Sequence, residues 1–599
     1  MGPGGMAATF LVSHTARHAY RSIASALQAA ASHWAARVEI EPGQYNEALT
    51  VRGDIELAAL GSPGSVIISS GNGPVVEALG AVRLAGLALI GSDGDTVRCG
   101  AGTLTIEGSQ IHGHGGPGLH AVAGTSVTLR DCVLHNGRAV FAGSFGLVER
   151  CRFADATNNA IAAIERADIR VQDSWIGHSR IHGVLVSGSR AAVTGCELTG
   201  TGNSSIAADK QAELHVANCR ITTVHDAGVS FHEQSRGLLE GTVVRDAEFG
   251  VAVSGGANPI VRGCTFIDCR DSGINIHTKG LGRFEHCEVV RAGDVAVFST
   301  SGGSPEVDGC RISGGNVGIA VVNGRGRFAR CEIRDLTNAA LRVLEHSTAW
   351  FSGIQVTGCP AGLDARGDAG TKVELTNSHF RGFSQVAVAA LKKARVTLRN
   401  CTAQHGMAGF AAGGEAQLLA YDCHIDDTEA GGAIVYEKEY LTAERLTVTR
   451  PGSFGLRGQD SAYFDIQDSE FADARYVGVS VDGSAGGRLT RCSVTGSEGV
   501  GVVDNGRVQL IDLRSALPVT EQAPELPSHI TTSSTARCST TRLKGCSWPG
   551  ATKTCRSSRE QRRNQKRGQP CPKADPPDAR SSPRSRAPTP TTARFSTPR

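Results

Sequence analysis

A short motif recurs along the chain: an apolar residue, two polar or Gly residues, Cys or Ser, one polar residue, then usually Ile, Val, Leu or Phe. TLRDCVL (128–134), VANCRI (216–221), VDGCRI (307–312) and LTRCSV (489–494) are four of its occurrences. Its fourth position can be followed from Ser109 through Cys132, Cys151, Ser174 and Cys196 to Ser469 and Cys492, with Thr242, Ile354 and Leu446 as further substitutes. The 18 positions span 383 residues, a mean spacing of 22.5. A fixed period of this size marks a solenoid, in which each repeat buries its apolar face only against its neighbours.

The segments within a repeat decide which solenoid. After each motif comes Gly-Val or Gly-Ile with alternating apolar positions, as in GVLVSG (183–188), GVSFHE (228–233), GINIHT (273–278) and GVSVDG (478–483). These runs are too short and too β-branched for helices, and Gly, Asn, Asp and Ser separate them. Two or three strands per turn, stacked at about 4.8 Å, make an all-β, single-stranded right-handed parallel β-helix of about 18–20 coils, about 80 Å long over the ladder. The three-residue step inside the motif breaks the period-two alternation, and a two-residue corner restores it. The Cys/Ser column then becomes an internal ladder of small buried side chains, among the most buried residue types. Free exchange with Ser, Thr, Ile and Leu argues against redox or metal chemistry there, and the body holds no zinc spacing. The expectation is no metal and no cofactor.

Tyr20, Ile23, Ala24, Leu27, Ala30, Ala31 and Trp34 fall at helical spacing, predicting an amphipathic capping helix over 16–34. VEIEPGQYNEALTV (38–51) and DIELAAL (54–60) read as the first strands. The predicted layout is an N-terminal segment with capping helix (1–36), the β-helix (37–515) and a tail (516–599). Residues 521–599 carry 16 Lys and Arg against 5 Asp and Glu, with 11 of the 21 prolines, and read as a disordered basic tail or a frameshifted one. The remainder carries 45 basic against 53 acidic residues, which argues against nucleic acid as a partner of the body. No run of eighteen apolar residues occurs, so no membrane span is expected. The opening MGPGGMAATF lacks the features of an export signal. With the reduced thiols, this gives a cytoplasmic expectation.

EIEPGQYNEALTV followed by DIELAALGSPGSVII (54–68) resembles the opening of pectate-lyase-like right-handed β-helix proteins, and the resemblance extends over about 35–515. It implies that fold, and it implies either a polysaccharide-acting enzyme or a non-catalytic binding protein. Lyases of this kind hold Ca²⁺ with carboxylates stacked on neighbouring coils. The columns on either side of the ladder, such as Asp131, Arg150, Asp173, Gly195 and Val133, Arg152, Trp175, Glu197, contain no carboxylate run. Gln172-Asp173 and Gln467-Asp468 look like part of a pectin methylesterase motif, but they sit at corners where Asp is an ordinary turn former. Gly113-His114-Gly115 looks like a polygalacturonase motif without its paired aspartates.

The candidate binding residues are therefore few. Tyr436, Tyr440, Tyr463 and Tyr476 cluster late in the sequence and form a candidate sugar-binding patch, against cross-strand packing as the plain alternative. His112 and His135 fall at equivalent positions on successive coils; they are a second candidate, against simple surface decoration. No convergent acid/base set is legible, and catalytic residues stay unassigned. The sequence favours a non-catalytic binding or scaffold protein presenting long sheet faces to a polysaccharide or protein partner. The alternative is a divergent lyase, epimerase or hydrolase.

Overall fold

The structure, a computed structural model, describes residues 8–71, 73–505, 507–515 and 519–520. The tail expected over 516–599 lies outside the described residues, apart from Val519–Thr520. The strands fall into three parallel stacks. Leu119–Ala121, Ser126–Arg130 and Val133–His135 form one coil. They pair in register with Ala139–Ala142, Phe145–Glu149 and Arg152–Ala154 of the next. Repetition gives a right-handed parallel β-solenoid of about 21 turns, slightly more than the 18–20 expected. The stacks are named here in chain order within a coil: the first sheet contains Leu119–Ala121, the second Ser126–Arg130 and the third Val133–His135.

Two of the three corners of a coil are made by single residues, while the turn from the first sheet to the second uses two left-handed residues in succession, as at Glu165 and Arg166. The residue before each ladder position adopts the left-handed conformation, with φ of 51° at Asp131, 49° at Arg150, 64° at Gly195 and 53° at Asn218. One left-handed residue redirects the chain between the second and third sheets, where a two-residue corner was expected. It keeps Leu129 before the corner and Cys132 after it both inward. Asn, Asp and Gly tolerate this conformation best. A second left-handed corner, at Asn136, Asp155, His178 and Gly200, leads from the third sheet back to the first.

The ladder is a hydrogen-bonding device as well as a packing one. The Ser174 hydroxyl donates to the Gln172 carbonyl at 2.8 Å and accepts from the Cys151 amide at 3.0 Å, one coil earlier. Ser378 and Ser469 repeat both contacts. The Cys thiols donate to the same carbonyl two residues back, as Cys287 does to Glu285. All fourteen described cysteines are buried and free. Burial pushes the Cys264 thiol up to about 11 and the Cys269 and Cys331 thiols up to about 12, so they stay protonated and unreactive. A serine at position 287 would inherit these partners. Cys287→Ser is expected to change unfolding free energy by no more than about 1 kcal/mol in a denaturant titration. A loss several times larger would show that the ladder depends on sulfur.

The N-terminus differs from the sequence reading in two ways. A strand, Ala8–Val12, precedes the helix and pairs in parallel with Ala35–Ile40, so pairing begins well ahead of residue 37. The helix is only Ile23–Ala30 and buries Ile23, Ala26, Leu27 and Ala30. Trp34 is 92% exposed instead of lying on that stripe. Both Glu47 carboxylate oxygens accept the first helical amides, from Ile23 at 2.9 Å and Ala24 at 2.8 Å, and the Ser22 side chain accepts from Ser25. These contacts satisfy the orphan donors of the first turn, so the helix starts at Ile23 and not earlier.

Candidate functional site

Parts of the outer surface are electrostatically closed upon themselves. On the second sheet, one column reads Arg37–Glu56–Arg83–Glu107–Arg130–Glu149, with separations of 3.0, 3.7, 2.5, 3.6 and 2.9 Å between successive members. At the corners, Arg150 grips Asp131 through both carboxylate oxygens at 2.8 and 3.0 Å, and Arg491 grips Asp468 at 2.6 and 2.6 Å. These guanidiniums hold both carboxyls below the usual carboxylate range. Parallel, in-register coils place equivalent residues one above another, so alternation of sign along a column neutralises it.

The first sheet is different. Its outward row runs Leu185, Ala207, Ser230, Ala252, Asn275, Phe298, one residue per coil. Ser230 lies between the core residues Val229 and Phe231 and so points out of the solenoid, yet it is 1% exposed. Asn275, likewise between Ile274 and Ile276, is 8% exposed. Larger side chains along the two edges of the sheet cover these small outward residues, which form the floor of a shallow trough. Ala207 and Ala252 keep that floor low between the polar side chains.

One wall is formed where the chain enters the sheet, by Asp226, Glu248, Asp271 and Asp294 on four successive coils. Their backbones are tied by amide-to-carbonyl bonds of 2.9, 3.1 and 3.0 Å. The opposite wall, where the chain leaves, carries Asp209, His232, Ser254 and His277. The Ser204 hydroxyl donates to Asp226 Oδ2 at 2.6 Å, and His232 Nδ1 lies 2.7 Å from Ser254 Oγ. His182 Nδ1 lies 2.9 Å from the Ser204 carbonyl, so that nitrogen carries the proton. Burial pushes the His182, His232 and His277 imidazoles below their ordinary value, against the opposing pull of Asp226 on all three. They are neutral at pH 7.

Two features occur together in this trough, the first of them shared with buried atoms elsewhere such as Asp308 Oδ1, Thr371 Oγ1 and both Glu439 carboxyl oxygens. First, the Ser230 hydroxyl, Asn275 Oδ1 and Asp209 Oδ1 are sealed from solvent with no hydrogen-bond partner. Such atoms are rare in folded proteins, and each calls for an explanation. Second, among the described residues none of Asp209, Asp226, Glu248, Asp271 and Asp294 forms an ion pair, whereas the second-sheet column and the Asp131 and Asp468 corners are paired. Farther along the same floor the charges are matched again: the buried Asp364 meets Arg342 at 3.5 Å and Arg366 at 2.5 Å. Beyond the Asn275 coil the floor turns apolar, with Val295, Val317 and Ala320 forming a cluster of their own against Phe298.

The tyrosines predicted as one patch lie on two faces. Tyr440 and Tyr463 are paired on the outer second sheet, ring centroids 5.8 Å apart, and are 56% and 41% exposed. Tyr436 lies on the first-sheet face with its ring over Gly413 and is buried, while half-buried Tyr476 continues the wall line far beyond Asp294. His112 and His135 are in register on the third sheet, with stacked rings 5.3 Å apart. Burial and the neighbouring His135 and His114 lower the His112 pKa. Among the described residues no three His, Cys, Asp or Glu side chains converge to hold a metal ion, and no helix is long and apolar enough to cross a membrane.

None of the candidates legible in the sequence, the ladder columns, the histidine pair or the tyrosines, pointed to the trough. Its signal was present: an acidic residue two positions before the Gly of GVSF, GVAV and GINI, at Asp226, Glu248 and Asp271, and before Ala296 at Asp294.

The sequence matches the family described as the right-handed beta helix region over residues 84–221, 182–333 and 361–512. No curated protein matches it. Among solved structures, the N-terminal fragment of bacteriophage Phi29 gene product 12 is similar at 8% identity and a TM-score of 0.41, covering 85% of this chain and 94% of that one. The catalytic domain of a GH87 α-1,3-glucanase in complex with nigerose is similar at 13% identity and a TM-score of 0.29, covering 64% and 66%. The PL6 family alginate lyase AlyGC is similar at 9% identity and a TM-score of 0.25, covering 86% and 99%. These likenesses concern the fold alone. The family match spans well over half of the residues, and the chain belongs to the right-handed β-helix region family.

Proposed function

We propose that this protein is a non-catalytic binding rod whose first-sheet trough holds an elongated glycan. The observation that carries this reading is the pair of buried, partnerless polar atoms on the trough floor, Ser230 Oγ and Asn275 Oδ1. A hydroxyl-rich chain lying along the coil axis supplies the missing partners once the side chains rotate toward it. Low alanines between them and the apolar step at Phe298 suit the mixed polar and apolar faces of sugar rings. The free buried thiols support a reducing compartment such as the cytoplasm.

The test is direct. The full chain is incubated with neutral and charged polysaccharides, with and without Ca²⁺, and both retention and chain length are followed. Retention without shortening or unsaturated product is expected. Ser230→Ala and Asn275→Ala are each expected to weaken retention by about fivefold, the worth of one hydrogen bond. One observation favours a second reading: the charges of Asp209 and Asp226 act on the same imidazoles, His182 and His232, which is a possible acid/base set. Depolymerisation abolished by Asp226→Asn would establish that reading and displace the first. Retention of a protein and of no glycan would also overturn the proposal.

A further inference from the structure

From the same trough we infer that the ligand carries repeated positive charge: a linear amino-sugar polymer, not a neutral or uronate chain. This inference rests on the glycan reading and adds the ligand's chemistry to it. Asp226, Glu248, Asp271 and Asp294 present one carboxylate per coil, at intervals of about 4.8 Å along the trough. Like charges stacked on adjacent strands destabilise a sheet, and elsewhere this solenoid removes the penalty by placing Arg on the next coil.

Here the compensation is absent on four consecutive coils, and Asp209 adds a fifth carboxylate from the opposite wall. The contacts these groups do make are with neutral donors: Ser204 to Asp226, Ser272 to Asp271 and Asn316 to Asp294. At the far end of the row the charge of Arg342 reaches Asp294, and at the near end Arg270 donates to the His225 carbonyl beside Asp226 without pairing with a wall carboxylate. The partnerless Ser230 and Asn275 atoms on the floor between the walls are an independent sign that a ligand lies there. No three ligands converge on a point among the described residues, so a repeating cation answers the row better than a single bound metal ion. A polymer with one ammonium per sugar places a charge near every coil and lays its ring faces on Ala207, Ala252 and Phe298. A uronate chain would meet repulsion along the whole wall.

The experiment uses the full chain and fluorescently labelled glucosamine hexamers at about pH 6, where the amines are protonated. Companion probes are the N-acetylated hexamer, a cellulose hexamer, a galacturonate hexamer and a lysine hexapeptide. The glucosamine hexamer is expected to bind, and to lose at least about tenfold in affinity on acetylation or on raising salt from about 50 to about 500 mM. The isosteric combination of Asp226→Asn, Glu248→Gln, Asp271→Asn and Asp294→Asn should cause a similar loss, while Asp468→Asn on the outer corner should cause none. Equal binding of the cellulose and glucosamine hexamers, or stronger binding of galacturonate, overturns the charge inference and leaves the glycan reading standing. Binding of no sugar overturns both. Tighter binding of the lysine peptide overturns the amino-sugar assignment. The salt and acetylation comparisons use unaltered protein, so misfolding of the fourfold variant leaves the test intact.

Discussion

Replacing Glu439 with alanine is expected to stabilise the protein by an amount that grows steeply with pH. Glu439 occupies the position just before a second-sheet strand, where the neighbouring coils carry Ala394, Ala416, Ala462 and Ala485, all buried. Its own side chain is fully buried, and neither carboxyl oxygen makes a hydrogen bond. Burial, aided by the charge of Glu437, pushes its pKa up to about 9, and the nearby amides of Ala416 and Glu415 offset only part of this.

Glu439 is therefore protonated in the folded protein at pH 7, while in the unfolded chain it ionises near 4.5. Between those values the folded state holds a proton that the unfolded state has released. The stability associated with Glu439 is thus fully present below about pH 4.5 and is lost progressively as pH rises to about 9. At about 1.4 kcal/mol per pH unit, the loss reaches about 3 kcal/mol at pH 7. In denaturant titrations the advantage of Glu439→Ala over the unaltered protein should widen by about 4 kcal/mol between pH 5 and pH 8. Every other titrating group cancels in that difference. Curves that stay parallel across this range would show that Glu439 ionises normally.

The second large effect concerns how the solenoid interior is filled. Phe141, on a first-sheet strand, is fully buried and lies across Gly146 of the second sheet. A Cβ at Gly146 would come within 2.5 Å of the Phe141 ring and 3.0 Å of Ile169 Cγ2, with no backbone atom among its nearest neighbours. The glycine is there because the ring occupies its side-chain space. Phe141→Ala should cost about 3–5 kcal/mol through lost burial and the cavity left behind. Gly146→Val alone should cost about 1–3 kcal/mol by overpacking. Combined, the valine refills part of the space vacated by the ring, so the double variant should be more stable than the sum of the two losses implies, by about 1–3 kcal/mol. Strict additivity in denaturant unfolding would refute the packing account.

Several features were legible before any coordinates because the solenoid repeats one local solution. The 22.5-residue period, the Cys/Ser ladder and the Gly-Val strands each arise from interactions within a coil or with the next, and every coil restates them. The register of His112 with His135 was readable for the same reason. The single left-handed corner was not. Period-two arithmetic shows that a corner exists, but which residue takes positive φ depends on sterics that Arg150, Arg445 and Arg491 satisfy as well as Asp or Gly. The four tyrosines looked like one patch because they are near in sequence, and the coil sends them to two different faces.

By itself, the sequence determined a parallel β-solenoid with an inward ladder of small side chains, because periodicity encodes which side chains must stack. Only the tertiary structure decided that one outer face sets a row of unpaired carboxylates beside buried, partnerless polar atoms. Ser230 and Asp226 are ordinary polar residues in the chain. Their significance comes from burial and from the lack of an Arg on the coils above and below, and both depend on how three sheets bend around one axis to raise walls beside the first.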